Sequence, residues 1–329
     1  MNTYSEYPAV DLVALNEAAK GAYAEGITIE HLHTQTGYLP TLYKKVTRID
    51  HGLRTAHYQL KETLASLSTP LGISLERFAR REASYNSAPT ASKPAVIGRM
   101  VDEVLEILRL VDDTQERLRQ ASAPLLETVE LDATHRFLAQ LADDNEQLLL
   151  DIEALTQRKQ TLEHEHRTLT DALSLIESKG FAQVGKDTIL NAQQVSKLAL
   201  ATPELALLEQ GIEFAHKVLD EAQGLVNYVS LTKARDVIRQ RVSDLSTQID
   251  SKSGDLDRVG MRQGLITATH RFDGHQTTYV TEFKKIKAAL SAFLDTHTMA
   301  DLQDETVRAG LINQTTTLIT HVNTIAQTR

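Results

Sequence analysis

Few residues in this chain have the means to do chemistry, and their spacing is poor for it. Glu163-His164-Glu165-His166 is the densest group of metal-binding types, and His31 with His33 forms a smaller one. Residues one and two apart on a helix do not face one another, so the first group cannot chelate by itself. His166 also falls on a helical seam, where a polar residue more often sets register. Asp112-Asp113 and Asp143-Asp144 read as solvated helix faces. Arg77, Arg80 and Arg81 read as an exposed face, with a headgroup or partner contact as the sharper alternative. His51, His57, His270 and His275 are candidate pH-sensitive seam elements. The sequence has no Gly-rich phosphate loop, no His-Glu-x-x-His, no nucleophile elbow and no cysteine. The expectation is therefore a protein that is not an enzyme, with no catalytic residue, metal or cofactor.

The chemistry that remains is apolar burial, and it concentrates between residues 180 and 208. This segment carries Phe181, Val184, Ile189, Leu190, Val195, Leu198, Leu200, Leu205, Leu207 and Leu208, while its ionisable residues are Lys186, Asp187, Lys197 and Glu204. It is too long for a helix-helix turn, which usually takes about two to eight residues. One reading makes it a small helical cap packed on its neighbours. The other makes it a concealed membrane-insertion element, since about twenty helical residues cross a hydrocarbon core. In a multimeric pore, Gln193, Gln194, Ser196 and Lys197 would supply a water-lining side. Both readings hold if one describes the protein before insertion and the other after.

Two long helical arms must position this segment. Alternating steps of three and four from Leu131 reach Thr134, Leu138, Leu141, Asn145, Leu148, Ile152, Leu155, Lys159, Leu162, His166, Leu169, Leu173 and Ile176, with no Gly or Pro between. That is a coiled-coil seam over more than six heptads, on a helix about 70 Å long. The return arm begins after Pro203 and holds one register through Leu205, Leu208, Ile212, Ala215, Leu219, Ala222, Val226 and Val229. It continues in a shifted register through Leu231, Ala234, Ile238, Val242, Leu245 and Ile249, which predicts a stutter within one helix. Two matched seams joined in mid-chain predict an antiparallel hairpin.

Around it, the pattern predicts a short helix over 9–24 ended by Gly21 and Gly26, a capped turn from Thr28, and a helix over 39–67 with Pro40 in its first turn. Ser68-Thr69-Pro70 and Gly72 should break that helix before a short piece over 75–83, and 84–94 reads as a loop. A seam follows at Ile97, Val101, Val104, Leu108, Val111, Gln115 and Leu118, with Pro124 as a kink or the first turn of the long helix. After a break at Ser253-Gly254 and Gly260 comes a third seam: Leu265, Thr269, Phe272, Gln276, Tyr279, Phe283, Ile286, Leu290 and Phe293. A last helix carries Leu311, Leu318, Val322 and Ile325. The fold class is all-α: an elongated antiparallel helical bundle or rod with a long coiled-coil hairpin and an apolar tip. Residues 1–130 and 254–329 form the body, and 131–253 form the hairpin with its tip at 180–208.

Composition narrows the function. A net charge of −9 argues against a nucleic-acid partner, which would demand concentrated positive charge. The N-terminus lacks the basic and apolar regions of an ordinary signal peptide, and nowhere do eighteen apolar residues run together, so the chain is expected to be soluble when made.

These features together resemble the cytolysin-type α-helical pore-forming toxins. Length and layout are most similar to the B subunit of the xenorhabdolysin-type binary toxins, with the resemblance resting on the seams at 131–176 and 205–249 and the tip at 180–208. It implies a partner A subunit, hetero-oligomeric rings on a lipid bilayer, and insertion of the tip into a host membrane after release from a bacterium. By position that role falls on 181–208. The tip lacks the strongly apolar run of single-component relatives, which fits a component that needs its partner. The alternative is a non-enzymatic coiled-coil scaffold or membrane-associated structural protein whose tip is a docking site.

Overall fold

Apolar side chains spaced three and four apart bury one stripe of each helix, and the stripes account for the architecture of this all-α protein. The computed structural model describes residues 7–179, 190, 200–219, 226–297 and 301–327. Among these residues the helices are α1 (Leu12–Thr36), α2 (Pro40–Ser87), α3 (Lys93–Ser122), α4 (Leu131–Lys179), α5 (Thr202–Leu219), α6 (Tyr228–His297) and α7 (Glu305–Gln327), with 3-10 turns at Thr90–Ser92 and Ala123–Leu126. The chain divides into two compact units, residues 1–138 with 262–329, and residues 139–261.

In the first unit α2 packs against α1, α3 and α7. Its stripe runs Val46, Ile49, Leu53, Ala56, Leu60, Leu64 and Leu67, all buried. All nine seam residues of α6 expected between 265 and 293 are buried, including Phe272, Tyr279, Phe283 and Phe293. Gln276 interrupts that apolar row because its side-chain amide donates to the carbonyls of Leu125 and Glu127, at 3.0 and 2.7 Å. Those bonds tie down the segment carrying Pro124, which lies in a separate 3-10 turn and is neither a kink nor the start of α4. The buried stripe of α3 runs through Met100, Val104, Ile107, Val111 and Leu118, leaving Val101 40% exposed, so the expected seam is offset there.

Several expected breaks are absent. Gly21 and Gly26 lie inside α1, and each is explained by a neighbour. A Cβ on Gly21 would meet the His275 ring at 2.4 Å, and one on Gly26 would meet Asp50 Cγ at 3.1 Å. The helix ends at Gly37, whose φ of 59° favours glycine. Likewise α2 continues through Pro70 to Ser87, because Leu67, Leu71, Ser74 and Phe78 stay buried on one stripe and hold the helix across the missing N–H. The loop expected over 84–94 shrinks accordingly to the residues around the first 3-10 turn.

In the second unit, α4 and α6 run antiparallel, because Asp151 meets Lys252 and Glu177 meets Tyr228. Every seam position of α4 in this unit is buried or half-buried. Burial is partial from Asn145 to His166 and complete at Leu169, Leu173 and Ile176, where α5 joins the pair. The return arm is two helices: α5 ends at Leu219 and α6 starts at Tyr228, a break within the row expected to hold one register from Leu205 to Val229, while the stutter expected between Val229 and Leu231 falls inside α6. No break occurs at Ser253-Gly254 or Gly260, which sit inside α6.

Candidate membrane-interaction site

The apolar residues singled out between 181 and 208 fall in the second unit. Phe181, Val184, Ile189, Val195 and Leu198 lie outside the described residues. Leu190 is 4% exposed, and its N–H donates to the carbonyl of Val226 at 2.8 Å. Leu208 is fully buried on α5, while Leu200 and Leu205 are half-buried against the same cluster. Leu207 is half-buried but does not join the cluster. This small core is built with Leu169, Ala172, Leu173 and Ile176 of α4 and with Leu231, Ala234 and Ile238 of α6.

The start of α5 is set by local chemistry. Pro203 stands in its first turn, where a missing N–H costs nothing. The Glu204 carboxylate accepts from Ala201 N–H at 3.0 Å, at the helix end where negative charge is favoured. Further along, the backbone of α5 approaches α4 closely enough that a Cβ on Gly211 would lie 2.8 Å from Ala172 Cβ. One turn and a half later Lys217 Nζ donates to Glu165 Oε1 at 2.8 Å, and the Glu165 side chain is 5% exposed.

These two links were not visible in the sequence. Gly211 falls between the seam positions Leu208 and Ile212, and an ion pair between residues 165 and 217 has no short-range signature. The pair also settles the role of Glu165 in the Glu-His-Glu-His group: it meets α5, while His164 packs its ring near Phe214. His33 is likewise engaged, with Nδ1 at 3.0 Å from the Tyr38 carbonyl oxygen and its ring stacked on Tyr43. Arg80 pairs with Glu76 along α2, and Arg81 reaches Glu103 on α3.

Electrostatics hold the arms as well. Hydrogen bonding from Lys252 keeps the Asp151 carboxyl below its ordinary range, and the bond to Glu177 raises the Tyr228 phenol. The arrangement brings no acid, base and nucleophile together among the described residues. Among the described residues no group of three metal-ligating side chains occurs, and no helix is long and apolar enough to cross a membrane. What it offers is an amphipathic helix, α5, whose apolar side is covered by two others.

No family model matches the chain, and no curated protein matches it. Solved structures do. XaxB from Xenorhabdus nematophila superposes with a TM-score of 0.80 at 19% identity, over 96% of this chain and 97% of that one. PaxB from Photorhabdus luminescens gives 0.77 at 18% identity, over 97% of each chain. The XaxAB pore complex from Xenorhabdus nematophila gives 0.65 at 18% identity, over 97% of this chain and 100% of that one. The fold is shared over 96–97% of this chain.

Proposed function

We propose that this protein is the B-type subunit of a two-component α-helical pore-forming toxin. It acts without covalent chemistry, assembling with an A-type partner into a ring that perforates a host cell membrane. The observation that carries this reading is the shared fold, over nearly the whole of both chains, with XaxB and PaxB and with a chain of the XaxAB pore complex.

In this reading residues 1–130 and 254–329 serve as the body, 131–253 as the arm, and 180–208 as the part that enters the bilayer, with Phe181, Val184, Ile189, Leu190, Val195, Leu198, Leu200, Leu205, Leu207 and Leu208 as its apolar contacts. Before assembly α5 keeps Leu205 and Leu208 against α4 and α6. On assembly it leaves them, exchanging burial in protein for burial in lipid. Apolar burial is worth roughly 25 cal/mol per Å² in either place, so the net drive must come from new subunit contacts and the segment's remaining apolar surface. That balance explains why a partner is required.

Leakage of dye from liposomes tests the proposal. Leakage with this chain plus its A-type partner, and none with this chain alone, is the expected result. Intact vesicles under both conditions would return the protein to a scaffold role. A cysteine at Val195 carrying an environment-sensitive dye should shift to the blue in the presence of liposomes and partner together.

A further inference from the structure

Helices α1, α2 and α7 line an open groove of about 620 Å³ in the first unit. Its lining includes Ala19, Leu53, Ala65 and Ala326, with the rings of Tyr23 and Tyr58, which are 46% and 68% exposed. Lys20 and Lys61 also line it, against a single carboxylate, Glu62. Arg54 is already committed: it pairs with Asp50, and its guanidinium carbon lies 4.2 Å from the centre of the Tyr23 ring. Among the described residues neither lysine forms an ion pair. In a chain of net charge −9, two unpaired lysines beside an apolar floor mark a local reversal of sign.

His57 lines the same groove, and its buried Nδ1 has no hydrogen-bond partner among the described residues. Edge-on to it, with ring centres 5.8 Å apart, stands Tyr279, whose buried hydroxyl also lacks one. Buried polar atoms without partners are uncommon in folded proteins. Burial, then the charges of Lys61 and Lys20, hold the His57 imidazole below its ordinary proton affinity.

We infer that this groove binds a single-chain anionic amphiphile, with its phosphate or carboxylate at Lys20 and Lys61 and its alkyl chain along Ala19, Leu53, Ala65 and Ala326. The volume lies within the range of about 300–1,000 Å³ typical of small-molecule pockets and suits one chain better than a two-chain lipid. The exposed rings of Tyr23 and Tyr58 add apolar surface at the rim of the groove. This site is independent of the toxin assignment, because binding is read on this chain alone, without partner or leakage.

Isothermal titration of the full chain with octyl phosphate, below its micelle-forming concentration, tests the site. One octyl phosphate per chain is expected, with inorganic phosphate and octyl glucoside each binding at least tenfold more weakly. Lys20→Gln with Lys61→Gln should weaken octyl phosphate at least tenfold, and Ala65→Trp, at an exposed position on the groove, should do the same without altering charge. Circular dichroism checks that both variants keep their helices. Equal binding of octyl glucoside or of inorganic phosphate would overturn the inference, as would unchanged affinity in both folded variants. Binding to phosphatidylglycerol vesicles without binding of octyl phosphate would also overturn it, assigning the lysines to a bilayer surface.

Discussion

A Cβ placed on Gly211 would lie 2.8 Å from Ala172 Cβ, closer than two such carbons approach in folded proteins. Glycine here lets α5 sit directly on α4. Gly211→Ala should therefore destabilise the second unit by about 1–3 kcal/mol, as overpacking does. Removing the opposing methyl with Ala172→Gly should recover part of the loss, so a double-mutant cycle in urea should show a favourable coupling. Additive effects would mean that the two helices do not meet at these residues.

Glu165 and Lys217 make an asymmetric pair, with side-chain exposures of 5% and 67%. Lys217→Met strands a buried carboxylate and should cost about 1–3 kcal/mol, discounted for the exposed lysine. The double variant with Glu165→Gln should recover most of that, because the uncompensated charge is gone. Equal stabilities of the single and double variants would show that the pair carries no weight.

Three histidines of the first unit, His57, His297 and His321, are held below the ordinary histidine pKa chiefly by burial. The unfolded chain takes up these protons near pH 6.5, whereas the native state resists until lower pH. Between those values the unfolded state binds more protons, so native stability must fall as pH drops below 6.5 and stay insensitive to them above it. His297 sits against the Phe293 ring, 4.8 Å between centres. His297→Phe should flatten the slope by at most about 1.4 kcal/mol per pH unit, the value for one proton. Urea midpoints between pH 8 and 5 measure it.

Gly254 and Gly260 lie inside α6, and a Cβ on either meets nothing within 4 Å. Each Gly→Ala change should stabilise the helix by about 1 kcal/mol, since alanine loses less backbone freedom. Thermal unfolding should show the gain, and a loss would reveal a contact to these glycines in an assembled state.

How much the sequence disclosed depended on the range of the interaction. The rows Leu265 to Phe293 and Val46 to Leu67 were legible because a helix buries every third or fourth residue regardless of what covers it. Glycines misled in both directions. Gly21 and Gly26 resembled helix ends, yet they are the places where His275 and Asp50 press against α1, a fact held by residues far along the chain. Pro70 resembled a break because its local cost is real, while the burial that outweighs it is tertiary. The split between Leu219 and Tyr228 leaves no mark in the pattern, because the row from Leu205 to Val229 keeps one register across it, while the register shift between Val229 and Leu231 falls inside α6. At the candidate site, apolar content marked the segment, but the Gly211–Ala172 approach and the Glu165–Lys217 pair needed the fold.

Pore formation by departure of α5 from α4 is tested by a crosslink between the two helices. The chain contains no cysteine, so Ala172→Cys with Gly211→Cys gives a single, unambiguous disulfide. Their Cβ positions are 2.8 Å apart, so the helices need separate by only about 1 Å to reach the usual ~3.8 Å of a disulfide. Liposome leakage would be measured with the A-type partner, before and after reduction with dithiothreitol. Departure of α5 predicts no leakage from the oxidised protein and recovery on reduction, with either single-cysteine variant active throughout. Equal leakage from the oxidised and reduced forms would contradict it, because a pore would then form with α5 still fastened to α4.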